Sequence, residues 1–90
     1  MMETNYSISS NISWKLLKEN VVAVNLDDGN YYTFNPTASL IWQYVDQGKS
    51  VSEIENLMQK EFSDIDKQTI KQDTAEIIGF WESEELIHIK

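Results

Sequence analysis

The side chains that could do bond-making chemistry in this chain are few and scattered. His88 is the single histidine, close to the C-terminal end, and the chain has no cysteine to partner it. No acidic residue stands at a metal-ligand spacing from it, and nothing in the sequence places a serine beside it for nucleophilic attack. Glu82, Glu84 and Glu85 could be read as paired acid–base carboxylates, but a solvated acidic helix end explains them without any reaction. The three glycines, Gly29, Gly48 and Gly79, are isolated, so no phosphate-cradling loop exists. The expectation is a protein without catalytic residues, bound metal or cofactor.

What remains is the chemistry of hydrogen bonding and packing, and two places concentrate it. One is the aromatic run Tyr31-Tyr32-Thr33-Phe34. The other is Asp73, a carboxylate set among apolar residues of the last long amphipathic segment. Their use depends on the elements that hold them.

Apolar residues alternate in Ile12–Leu17, and Val22, Val24 and Leu26 fall on one face of Val21–Leu26, the pattern of strands. Asp27-Asp28-Gly29-Asn30 offers left-handed turn positions, and Tyr31–Phe34 returns with Tyr32 and Phe34 on one face, Tyr31 and Thr33 on the other. Three antiparallel strands in chain order leave the last at an edge. Asn35 and Pro36 open a helix that Gly48 stops. Ser50-Val51-Ser52-Glu53 is a capping box for a second helix, with Val51, Ile54, Leu57, Met58 and Phe62 as its stripe. Asp66 caps a third, stapled by Ile65 and Ile70 and running to about Glu84. Leu86–Ile89 closes the chain as an extended tail. The fold class is α+β and winged-helix-like, a three-stranded antiparallel sheet followed by three helices. Residues 1–10 are polar and expected to fray as a flexible segment, leaving 11–90 as one domain.

The third helix is apolar over too wide an arc. Ile70, Ile77 and Trp81 project together, with Ile78 on one flank and Phe80 on the other. The arc spans about 160°, against the roughly 100° that one contact face requires. Such a helix packs on two sides, or packs on one and lines a groove with the other. Asp73 falls inside the arc. It is either an acceptor for a partner's donor or a carboxylate paired with a lysine or a local N–H. Tyr31 likewise either covers the sheet or belongs to an edge where an extended peptide adds as a further strand.

Charge narrows the partner. Seven basic residues, every one a lysine, oppose fifteen acidic ones for a net charge of -8. Nucleic-acid binding needs clustered cations and leans on arginine forks, so a winged-helix nucleic-acid binder is disfavoured and a neutral or basic partner is favoured. The N-terminus has no signal-peptide pattern, and no apolar run reaches the length of a membrane helix. With no cysteine, a reducing cytoplasm is the expected setting. A dimerisation domain using the same edge is the rival reading.

The run VVAVNLDDGNYYTFNPTASLIWQYVDQGKSVSEI and the later KEFSDIDKQTIKQDTAEIIGFWESEELI together resemble the PqqD-like family, over about Val21 to Ile87. These are small recognition domains for the precursors of ribosomal peptide natural products. The resemblance is carried by Phe34-Asn35, Ile41-Trp42, the turn at 48 to 54, Asp73 and Leu86-Ile87. Family members commonly have glycine before that last pair, where this chain has Glu85. The resemblance implies that the last strand and third helix clamp a leader peptide through Asn30, Tyr31, Tyr32, Thr33, Phe34, Ile70, Asp73, Thr74, Ile77 and Phe80. It also implies a non-catalytic adaptor that hands the leader to a separate peptidase or other modifying enzyme, as in lasso-peptide pathways. Which of residues 31–34 turn their N–H groups outward stays open at this level.

Overall fold

The computed structural model describes residues 3–90. Its elements follow as β1 (Tyr6–Ile8), β2 (Ile12–Leu17), β3 (Asn20–Asn25), β4 (Tyr31–Thr33), α1 (Pro36–Asp46), α2 (Val51–Glu61), α3 (Lys67–Ser83) and β5 (Ile87–Ile89). Strands β2, β3 and β4 form an antiparallel sheet in that order, and β1 pairs with β5 in a second, two-stranded sheet. The three strands and three helices expected from the sequence are all present.

Two expectations are corrected. The segment 1–10 does not simply fray: Tyr6 stands opposite Ile89 and Ile8 opposite Ile87, so the polar start and the supposed tail complete each other as strands. The first two residues of that segment lie outside the described residues. Strand β3 also ends at Asn25, short of the expected Leu26, and the face it gives to the core is the one opposite Val22 and Val24. Val21 and Ala23 are fully buried, Val22 and Val24 only partly, and Leu26 lies in solvent beyond the strand. A strand with apolar residues on both faces gives period two no way to choose between them. Packing chooses, because Tyr32 stands opposite Ala23 and shares its face, and the helices cover that side.

Helix ends follow the local signals. Asn35 accepts from the Ala38 N–H, Ser50 and Glu53 form a reciprocal capping box, and Asp66 accepts from the Gln68 and Thr69 N–H groups. Backbone donation to Glu53 holds its carboxyl below the usual glutamate range. Ser39, buried between α1 and the sheet, accepts from the Val21 N–H at 2.7 Å and donates to the Phe34 carbonyl at 3.2 Å. It therefore fixes the end of β4 against α1.

Glu85, where the family commonly has glycine, adopts a left-handed φ of 60°. It terminates α3 in a Schellman motif: Leu86 N–H donates to the Trp81 carbonyl at 2.9 Å and Glu85 N–H to the Glu82 carbonyl at 3.0 Å. An L-residue held there costs about 1–2 kcal/mol, of which glycine's greater unfolded entropy returns roughly half. Glu85→Gly is therefore expected to stabilise the domain by about 0.5–1 kcal/mol, a rise in Tm of several degrees in thermal unfolding. A fall in Tm would show that the Glu85 side chain contributes more than its backbone strain removes.

Candidate functional site

Strand β4 offers one open edge, and its hydrogen bonds define which groups use it. The Asn25 N–H donates to the Asn30 carbonyl at 2.8 Å and the Phe34 N–H to the Val21 carbonyl at 2.9 Å. Residues 30, 32 and 34 thus turn their backbone groups toward β3, and alternation turns those of Tyr31 and Thr33 the other way, where no strand pairs among the described residues. Asn30 is committed to closing the turn, with its N–H on Asp28 Oδ1 at 2.9 Å. The Phe34 carbonyl already accepts from Asn20 and Ser39. Of the strand residues singled out by sequence, only Tyr31 and Thr33 carry free edge groups.

Beside this edge α3 presents the apolar flank that the sequence left unplaced. Its buried stripe is Ile70, Thr74, Ile78 and Trp81, while Ile77 is half-buried and Phe80 is 53 % exposed. Thr33, Phe34, Asn35 and Ala38 on one side and Glu76, Ile77, Phe80 and Trp81 on the other line an open groove of about 320 Å³. Toward the start of α3 lies a smaller hollow of about 130 Å³, whose lining includes Thr37, Ile65, Ile70, Asp73 and Thr74.

The residues named for helix three therefore divide. Ile77 and Phe80 line the groove by the strand. Asp73 is exposed at the smaller hollow. Ile70 and Thr74, 6 % and 1 % exposed, belong chiefly to the core. Asn35, Ala38, Glu76 and Trp81 also line the groove and are not among the leader-binding residues expected from the sequence. Nothing separates Glu76 by type from the chain's other surface carboxylates, and Ala38 looked like an ordinary helix residue.

The floor of the groove rests on a cluster of packed aromatic rings. Phe34 packs on Trp42 at 5.2 Å and on Trp81 at 5.0 Å between ring centroids, and Trp42 meets Trp81 edge-on at 5.0 Å. These tilted and edge-to-face arrangements suit the ring quadrupoles and tie strand, first helix and third helix together. Tyr32 reaches from β4 to the end of α3, its hydroxyl donating to Glu84 Oε1 at 3.4 Å. Burial first, and then the Glu84 carboxylate, raise the Tyr32 phenol above its ordinary pKa. It therefore remains a neutral donor near pH 7.

Away from the groove, one expectation about reactive groups is corrected. A serine does lie beside His88: Ser9 Oγ is 3.5 Å from His88 Nδ1. The Ser9 hydroxyl donates to the Glu85 carbonyl at 2.8 Å, so its proton is already directed away from the imidazole. Among the described residues no group of three or more His, Cys, Asp or Glu is arranged to hold a metal. No helix among them is long and apolar enough to cross a membrane.

A small α+β domain with an open strand edge set along an apolar helix flank is the class that fold and site define. The chain belongs to the family of Coenzyme PQQ synthesis protein D (PqqD), whose pattern matches residues 20–87. Among solved structures it is similar to TbiB1 in complex with the TbiA(β) leader peptide, at 26% identity and a TM-score of 0.86, over 91% of this chain and 94% of that one. It shares its fold with a lasso peptide synthetase B1 complexed with the leader peptide, at 19% identity and a TM-score of 0.85, over 93% and 98% of the two chains. Comparison with curated proteins finds no match.

Proposed function

We propose that this chain is a non-catalytic leader-peptide binding protein of ribosomal natural-product biosynthesis. It takes the leader region of a precursor peptide as an added strand on the Tyr31–Thr33 edge and holds its side chains against α3. It then presents the precursor to a separate processing enzyme, a leader peptidase or other modifying enzyme, in the cytoplasm. The observation that carries this reading is the unpaired edge of β4 lying along an apolar groove. An edge supplies backbone bonds and a groove supplies side-chain pockets, the two things an extended peptide needs. Membership of the PqqD family and the likeness to leader-bound TbiB1 support it.

The test is a titration with synthetic leader regions of precursors encoded beside this chain's gene. Because Trp81 lines the groove, tryptophan fluorescence reports directly on occupancy. Saturable binding is expected with Kd below about 100 μM, roughly -5.5 kcal/mol. If no leader binds in that range, leader recognition is the wrong reading. Self-association of the domain in sedimentation, lost when the edge is blocked, would favour dimerisation in its place.

A further inference from the structure

Two of the three carboxylates of α3 stand on the side that faces the strand edge, and the third, Glu82, lies apart from it, where it accepts from the Tyr6 hydroxyl. Glu76 lines the groove opposite Thr33 and Asn35, and Asp73, one turn earlier, lines the adjoining hollow. No lysine lines either one, although α3 carries Lys67 and Lys71. Those two lie on the opposite flank, where they line a separate hollow against α2. The strand-facing wall of the groove is thus apolar and anionic, in a chain of net charge -8. A carboxylate beside an apolar, partly water-excluded surface attracts a cation more strongly than one in open solvent.

We propose that Glu76, assisted by Asp73, selects a lysine or arginine in the bound leader. The inference rests on the leader-binding reading and adds the chemistry of the peptide. Its occupant is an extended segment that seats an apolar side chain over Phe34, Ile77 and Trp81 and sets a basic side chain beside it at Glu76. Charge complementarity fixes that choice, since an acidic segment laid along the same edge meets only like charge on the helix wall. Glu76 is a specificity residue, separate from the backbone edge that binds any extended chain.

The experiment uses the leader of the precursor encoded beside this gene, synthesised with its own sequence and with each Lys or Arg replaced in turn by Gln. Binding to the wild-type chain, Glu76→Gln, Asp73→Asn and the double variant is measured by fluorescence anisotropy at low and high salt. Glu76→Gln is expected to raise Kd about 5-fold and the double variant about 10-fold. One neutralised peptide position should reproduce the Glu76→Gln loss and add nothing to it in a double-mutant cycle. High salt should shrink these differences. Both carboxylates are exposed, so unchanged thermal unfolding is expected to accompany the change in affinity. A leader that binds while lacking Lys and Arg, or whose Kd moves less than twofold with Glu76→Gln, overturns the cation selection and leaves leader recognition standing. A leader that fails to bind the wild-type chain at all removes both.

Discussion

Replacing Thr33 by proline is expected to weaken leader binding by about 10- to 100-fold while the domain stays folded. Thr33 turns its N–H to the open side of β4. Asn30 and Phe34, at alternate positions along the strand, are bonded toward β3, and the residues that alternate with them in register face the other way. Proline removes that donor and leaves an incoming carbonyl unpaired, at about 1–3 kcal/mol. Its ring also crowds the approaching strand. On the sheet side nothing is lost, and edge strands are where proline is tolerated. Tyr32→Pro makes the contrast. Tyr32 stands opposite Ala23 in the β3–β4 ladder, so its loss should appear first as reduced stability in urea unfolding. Circular dichroism and a binding isotherm on both variants separate the cases. If Thr33→Pro is folded and binds the leader as tightly as the wild type, strand addition on this edge is wrong.

The choice of Thr33 over Tyr32 marks where sequence reading stops. Local chemistry was legible: Asn35, Ser50 with Glu53, and Asp66 each satisfy orphan N–H groups within three residues, so type and spacing suffice to find them. The over-wide stripe of α3 was legible for the same reason, and it resolves into a buried row ending at Trp81 and an exposed Phe80 by the groove. Features set by distant partners were not. Tyr6 finds Ile89 across almost the whole chain, and three residues of ordinary polarity carry no signal for such a pairing. The core face of β3 depended on which side the helices took. Ser39 bridges two strands from a helix, a role that no periodicity reveals. The outward direction of the Thr33 N–H likewise depends on register, which pairing sets and composition does not.

Trp42→Ala is expected to be the most damaging single change to stability, by about 3–5 kcal/mol. A ninety-residue domain has roughly 5–15 kcal/mol in all, so much of the margin would go. Trp42 is completely buried and is the common neighbour of Trp14, Phe34 and Trp81. Truncation leaves a large void among rings that cannot all move in to fill it. Trp42→Phe is the informative companion. The Trp42 indole N–H has no hydrogen-bond partner among the described residues. Phenylalanine therefore removes an uncompensated polar group as well as part of the ring, and its cost should fall well below that of alanine. Urea unfolding of both variants measures the difference. A loss under about 1 kcal/mol for Trp42→Ala would mean that the ring cluster is not the keystone its geometry indicates. The consequence extends to binding, because Phe34 and Trp81 line the groove and lose their shared support together. Leader affinity should fall in Trp42→Ala even after correction for the unfolded fraction, since Trp42 packs on both Phe34 at the strand end and Trp81 in the helix wall.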